Sequence, residues 1–478
     1  MGFIDKVLGR RSVKKINPSV RARIDIADRG DDFRHWQSAD SFSMDAILNA
    51  TTRRTIRNRA RYERLNNSYL AGISETMASD LIGTGPRLQV TGADEFARRI
   101  EKSFYEWSTQ IDLAGKLRTM RQAKLVDGEA FVALVTNPAL PGVQLDLRLI
   151  EADQVATPLQ FIAGNNETLE GSLVDGLEFD AIGNVIAFHV LKYHPGSNYK
   201  SAELDSVRIP ADQMVHWFER IRPAQNRGLS EVAPCLRLFA DLRRYTGAVI
   251  AAAETAADFA GIIHSNSPAA EVDEVEPFSA MEIEKRSLVT LPEGWDISQL
   301  RAEQPTAQFG DFRKQIISEI GRALQIPYAI AALDSSSHNY ASARMDAQLY
   351  NVSVRVQRET IEHRLLDRLV SQWMNEAKLM GQIDESINDD LEWSWQWDGR
   401  EHVDPTKEAN ALQTKLETHT TTLAAEYARQ GKSWEQELQQ RSVEIKMMKE
   451  LDLFQDFSPE VNYGGELGED EDSPGEAD

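Results

Sequence analysis

The 478-residue chain has a single cysteine, Cys235, and lacks both a surplus of cations and any long apolar run. One thiol excludes an internal disulfide and any cysteine-rich zinc site. A disulfide-free chain of this length predicts a cytoplasmic protein. The longest small and apolar run near the middle, Gly247 to Ala253, ends at Glu254, far short of the ~20 residues a membrane span requires. The N-terminus has no apolar stretch of signal-peptide length. The expectation is a soluble intracellular protein without membrane contact. Lys and Arg number 53 against 75 Asp and Glu, a formal charge of −22. That balance excludes a tight grip on nucleic acid over a broad surface, which needs cations to displace counterions. With 41% hydrophobic and 27% charged residues, the composition is that of a folded protein, and the length predicts about three compact units.

Charge is unevenly placed. The first 64 residues carry 15 Lys and Arg against 8 Asp and Glu, with Arg53, Arg54, Arg57, Arg59, Arg61 and Arg64 clustered at the end. This basic arm could touch DNA, an acidic partner or a neighbouring subunit, or could be a solvated arm. At the other end, Gly464 to Asp478 holds seven acidic residues and no basic one, which predicts a disordered tail.

Apolar periodicity gives the organisation. Ile47, Ile56, Leu65, Tyr69, Ile73 and Met77 predict helix towards Leu81, ending near Gly83-Thr84-Gly85-Pro86. Phe96 to Lys116 reads as an amphipathic helix. Strands follow at Ala130–Val135 and Val143–Ile150, then a hairpin of Leu177–Phe179 and Val185–Val190. After Arg227-Gly228, Ser230 can cap a long helix whose stripe runs from Leu229 through Phe239 and Val249 to Phe259, its second half rich in alanine. His264 to Gln308 is broken by prolines and carries the acidic run Glu271, Asp273, Glu274 and Glu276. It predicts a hairpin of Ser287–Leu291 with Asp296–Leu300. A helix on Phe309, Phe312, Ile316, Ile320 and Leu324 stops at Pro327, and Tyr328 to Tyr340 has the composition of a mobile loop. From Ala341 to Leu379 the stripe changes phase between Met345, Leu349, Val352, Val356 and Ile361, Leu365, Leu369, Trp373, which predicts a kink. Trp393, Trp395 and Trp397 alternate on a strand. Helices follow from Pro405, with a capping box at Ser433 and Gln436.

Catalytic patterns are weak. Gly431-Lys432-Ser433 ends like a phosphate loop, but Glu426 stands where the first glycine is needed. Gly83-Thr84-Gly85 lacks the third glycine of a dinucleotide fingerprint. The nine histidines never fall in a metal-ligand spacing. Asp334, Ser335 and His338 crowd into one loop without rigid support. The alternating tryptophans could stack bases, but at strand spacing they more often fill a core or a subunit interface. The expectation is a protein that is not an enzyme and has no cofactor and no metal.

Six strings, in order, resemble the portal proteins of tailed bacteriophages, of the lambda-type family. They are Asn66-Asn67-Ser68-Tyr69 with Gly72 and Ile82-Gly83-Thr84-Gly85; Asp127-Gly128-Glu129-Ala130-Phe131; Arg227-Gly228-Leu229-Ser230; Asn339-Tyr340-Ala341-Ser342-Ala343-Arg344; and Val403 to Ala409. The resemblance implies an α+β portal-like subunit with a mixed α/β wing, long stem helices, a small clip with a β-hairpin, a kinked long helix and a helical C-terminal crown. Its expected divisions are 1–44 basic arm, 45–226 wing, 227–260 first stem helix, 261–308 clip and 309–326 second stem helix. Beyond these come 327–340 tunnel loop, 341–400 kinked helix and Trp-rich strand, 401–462 crown and 463–478 acidic tail.

The resemblance also implies a ring of about twelve copies at one capsid vertex. Expected partners are the terminase large subunit, the major capsid and scaffold proteins, the head–tail connector or adaptor, and double-stranded DNA passing without tight binding. Ser335, Ser336, Ser337, His338 and Asn339 would face that DNA. Lys314, Arg322 and Arg344 are candidates for charge rings in the bore, or for salt bridges between subunits. Glu271, Asp273, Glu274 and Glu276 are candidates for docking terminase, or are merely solvated. Ala252 and Ala256 would lie on a subunit interface. About twelve copies at −22 give a ring near about −264, which suits a conduit through which a polyanion must slide. Two other readings are a terminase-like packaging enzyme and a capsid scaffold or adaptor protein without a channel.

Overall fold

The computed structural model describes residues 39–91, 95–158, 172–198, 205–257, 261–265, 295–299, 309–336, 339–383, 391–399 and 405–453. The basic arm up to residue 38, the acidic tail, the acidic run from Glu271 to Glu276, Ser287–Leu291, Ser337 and His338 lie outside them.

Helices open the chain. A short α1 (Met44–Ile47) precedes α2 (Ala50–Asn66), which starts where Asn49 accepts from the Thr52 amide. The helix expected to reach Leu81 is interrupted at Asn67. Its extended backbone lets the side-chain oxygen accept from the Tyr69 and Leu70 amides, which starts α3 (Ser68–Ile82). Next come β1 (Arg87–Val90) and α4 (Glu95–Gln110), with Ala97, Ile100, Phe104 and Trp107 buried on one face. That helix stops short of Lys116, because Asp112 adopts a left-handed φ of 51° and caps a separate α5 (Leu113–Asp127). Periodicity hid α5 because Arg121 and Lys124 sit on its buried face.

Two antiparallel sheets follow. In the first, β2 (Glu129–Thr136) lies between β3 (Leu145–Ile150) and β8 (Met214–Phe218). The second orders β4 (Ser172–Val174), β5 (Leu177–Phe179), β6 (Val185–Leu191) and β7 (Ser206–Pro210) as neighbours. The β5–β6 hairpin closes on Asp180, whose carboxylate accepts from the Ile182 and Asn184 amides. Strand alternation divides β2 between two cores. Phe131 and Ala133 meet Phe179, Phe188 and Val190, whereas Ala130, Val132 and Leu134 join the helical core around Phe104, Trp107 and Trp373.

Beyond the sheets the chain departs from expectation in four places. The long helix α6 (Leu236–Ala257) begins only after a 3₁₀ turn at Ala233–Cys235. Ser230 does not cap it, since its hydroxyl donates to the Leu125 carbonyl at 3.2 Å. In the proline-broken segment, β10 (Trp295–Gln299) pairs antiparallel with β9 (Gly261–Ser265), some thirty residues upstream; the expected partner Ser287–Leu291 lies outside the described residues. After α7 (Phe309–Leu324), the expected loop is half helical. Pro327 leads into α8 (Tyr328–Ala332), which ends at Leu333 with φ 49°. The helix α9 (Tyr340–Ile361) continues through a π-helical turn, Glu362–Leu366, into α10 (Asp367–Leu379). The irregularity thus falls just beyond the expected Val356–Ile361 step. It is the single-turn π insertion by which a helix absorbs an extra residue. Finally β11 (Trp393–Gln396) pairs antiparallel with β1, and α11 (Pro405–Glu417), α12 (Leu423–Arg429) and α13 (Trp434–Glu450) complete the described chain. Ser433 makes no side-chain cap on α13, so the predicted capping box does not form. Among the described residues no helix is long and apolar enough to cross a membrane.

Candidate functional site

Two of the family-like strings, about 100 residues apart, meet where the sheets hand over to α6. Gly128 closes α5 with φ 92°, and a Cβ there would lie 2.3 Å from the Leu229 carbonyl carbon. A Cβ on Gly228 would lie 2.2 Å from the Gly128 oxygen. Neither backbone leaves room for a side chain, so both strings require glycine here. Beside them Glu129 is fully buried. It receives Arg227 Nη2 at 2.7 Å, the Gly228 amide at 3.0 Å and His216 Nε2 at 2.9 Å. Burial alone would push this carboxyl up. The Arg227 charge and the His216 and Arg227 hydrogen bonds outweigh burial and hold it well below the ordinary carboxylate range. Arg227 also donates to the carbonyls of Ala152, Val155 and Asp175, which ties both sheets to the start of the long helix. His216 stacks between Phe131 and Phe218, with centroids 4.1 and 4.3 Å away. Burial lowers its pKa against the pull of Glu129.

The arginines at the end of the basic stretch do not form a cationic surface. Arg53, Arg57, Arg61 and Arg64 recur every three or four residues on one face of α2, which turns inward. Arg53 reaches Asp175 at 2.8 Å and Arg57 reaches Asp153 at 2.6 Å. Arg61 forks across Asp127 and Asp153, and Arg64 meets Glu75. For Arg53, Arg57 and Arg61 the DNA-contacting reading is corrected, since their charge is paired within the subunit, whereas the Arg64–Glu75 pair lies at the surface. Arg54 and Arg59 remain exposed. Glu151, Asp153 and His194 come within 4.8 Å of one another, the one such His/acid group among the described residues. Arg57 and Arg61 already engage its carboxylates, which leaves little for a cation.

Further clamps fix α6. Glu231 receives Arg121 and Lys124, which hold its pKa at about 2 against the burial that would raise it. Asn67, besides capping α3, donates to the Phe239 carbonyl at 2.9 Å. Arg243 reaches Glu63 at 2.8 Å. Burial pushes the Cys235 thiol up to about 12, so it is inert.

The other expected site residues do not form one cluster. Lys314 is half-buried with its ammonium 5.3 Å from the Tyr328 ring centre. The Tyr328 hydroxyl donates to Asp334 at 3.3 Å, and Asp334 accepts from the Ser336 amide at 2.9 Å. The first part of the expected loop is thereby rooted on α7. Asn339 caps α9 in a reciprocal pair with Ser342. Arg322 and Arg344 are exposed, Ser335 and Ser336 lie just past Leu333, and Ala252 is half-buried on α6.

Sequence reasoning missed the device that locks the C-terminal strand. Trp393 and Trp395 both donate to Asp367 Oδ1, at 3.1 and 3.0 Å, and Trp397 donates to Glu362 Oε1 at 2.5 Å. Three indoles at strand spacing therefore engage carboxylates at both ends of the π turn. The alternation was legible; the acceptors, some thirty residues away, were not. Asp398 then accepts from the amide and hydroxyl of Thr84 within the Gly83-Thr84-Gly85 string.

The sequence model for phage portal proteins of the lambda family matches residues 29–358. The "Probable portal protein" of Halomonas phage phiHAP-1 is 26% identical over 444 residues, covering 86% of this chain and 84% of its own length. Among solved structures, the neck of an empty GTA particle gives a TM-score of 0.46 at 13% identity, covering 78% of this chain and 93% of its own. An HK97-family phage portal protein from Corynebacterium diphtheriae gives 0.34 at 13% identity, covering 64% and 88%.

Proposed function

The chain belongs to the lambda family of phage portal proteins and is a structural head–tail connector of a phage particle; we propose that about twelve copies close into a ring whose bore passes double-stranded DNA in during packaging and out on ejection. In this reading 45–226 form the wing, 227–260 and 309–326 the stem helices, 261–308 the clip and 327–340 the tunnel loop. Residues 341–400 carry the long helix and Trp-rich strand, and 401–462 form the crown. The clip, through Glu271, Asp273, Glu274 and Glu276, docks the terminase large subunit and later the connector or adaptor. The outer face meets major capsid and scaffold proteins. Assembly takes place in the host bacterial cytoplasm, and the protein performs no catalysis of its own.

The observation that carries this reading is the role of the family strings. Asp127–Phe131 and Arg227–Ser230 interlock at the base of α6, a contact that in this reading would tie wing to stem. A duplex under a motor's force needs such a strut, and an acidic subunit gives that duplex little to adhere to. Ser335 to Asn339 would brush the DNA, while Lys314, Arg322 and Arg344 would set isolated positive points around the bore. Ala252 and Ala256 would meet the adjacent copy. In support, no described side chain of α6 beyond Val249 is buried within the subunit.

End-on electron micrographs of purified protein test the reading, which expects an annulus with an open centre. Deleting Ser335–His338 should leave that annulus intact and impair DNA retention or translocation. Wild-type packaging after the deletion would remove the loop from the mechanism.

A further inference from the structure

The helix α9 is apolar on two opposite sides. Tyr350, Val354 and Ile361 are buried in the subunit. Met345, Leu349, Val352 and Val356, at i, i+4, i+7 and i+11, form a second stripe on the other side, exposed by 63, 64, 48 and 56%. The change of phase in the sequence is thus a change of partner: the later stripe, Ile361 to Trp373, faces the protein's own core, and the earlier one faces away from it. A solvated helix face has no need of four apolar side chains in register, and scattered exposed apolar residues do not line up along one face. Nor does such a stripe suit a polyanion, which is held by cations and hydrogen-bond donors.

We propose that this stripe is covered by a second copy of the chain, through the stem pair α6 and α7 of the adjacent subunit. The proposal rests on the ring reading and adds to it which surfaces meet. A heterologous contact needs two different complementary patches on one protomer. On the stem pair, Ile250 of α6 is 54% and Phe312 of α7 47% exposed, each an apolar side chain that the subunit leaves open. Charge can set the register: exposed Arg355 flanks the stripe, while exposed Glu254, one turn on from Ile250, and Asp311, which with exposed Arg313 brackets Phe312, lie on the stem pair. The apolar centre would supply affinity and the flanking charges the register.

Light scattering of full-length variants tests this, with circular dichroism as the check on folding. Val352→Glu, at an already exposed position, should keep the wild-type helical signal and lose at least ten-fold in ring fraction at the concentration where wild type is assembled. Arg355→Glu should weaken assembly several-fold, and adding Glu254→Arg with Asp311→Arg should restore it. Wild-type rings from the folded Val352→Glu protein would overturn the proposal while leaving the ring reading intact. Loss with Arg355→Glu that the added reversals do not repair would overturn the pairing with the stem. A wild-type chain that never forms rings would remove the ring reading and this proposal together. Should Val352→Glu misfold, Leu349→Ser gives the same readout with a smaller polar change.

Discussion

Trp395 donates its indole N–H to the Asp367 carboxylate at 3.0 Å, joining the short β11 strand to the helix that leaves the π turn. Because Trp393 uses the same oxygen, one acceptor satisfies two half-buried donors. Asp367→Ala should therefore orphan both and cost about 2–4 kcal/mol, whereas Asp367→Asn keeps a carbonyl acceptor and should cost less. Thermal unfolding followed by tryptophan fluorescence separates the two variants. Equal, negligible shifts would mean that the indoles find other partners.

The glycine pair makes a sharper contrast. Gly128→Ala and Gly228→Ala each place a Cβ within 2.3 Å of backbone, and either should cost about 3 kcal/mol or more. Gly72 lies on α3, and a Cβ there would meet nothing within 4 Å. Gly72→Ala should gain about 0.5–1 kcal/mol, since alanine favours helix. Denaturant titration of the three variants reads the difference, and similar midpoints for Gly72→Ala and Gly128→Ala would contradict it.

Acid should weaken the junction in two stages. His216 has its pKa lowered from 6.5 by burial. Below about pH 6.5 the unfolded imidazole takes a proton that the folded one refuses, so its contribution is complete above that pH and declines as pH falls. Glu129, depressed from 4.5, contributes above about pH 4.5 and is lost as pH falls towards its folded value. Unfolding midpoints between pH 8 and 3 should show both declines. His216→Gln, which retains a donor for Glu129, should remove the first and keep the second; an unchanged upper decline would contradict the assignment.

Ala252→Trp places a large side chain on a half-buried helix position and should block assembly if the alanine face meets a neighbour. Native-gel or light-scattering measurement of normal rings from this variant would place the interface elsewhere.

Local chemistry was the legible part of this chain. The β5–β6 hairpin announced itself through Asp180 and Gly183. Helix boundaries at Asn67 and Asp112 were missed because apolar spacing runs on past a polar cap that turns the backbone. The internal pairing of Arg53, Arg57 and Arg61 was invisible for a different reason. Their partners Asp127, Asp153 and Asp175 lie roughly 70 to 120 residues away, so charge read along the chain looked like a basic surface. The stripe from Met345 to Val356 was visible as a pattern, but only the fold shows that the subunit itself leaves it bare. Likewise, the strings Asp127–Phe131 and Arg227–Ser230 marked a family without revealing that they touch.

The most direct test is the mass of the purified wild-type protein in solution, by light scattering across several salt and protein concentrations. Closure of about twelve 53.7 kDa chains predicts a discrete species near about 640 kDa. A monomer or dimer that persists under every condition would contradict the account.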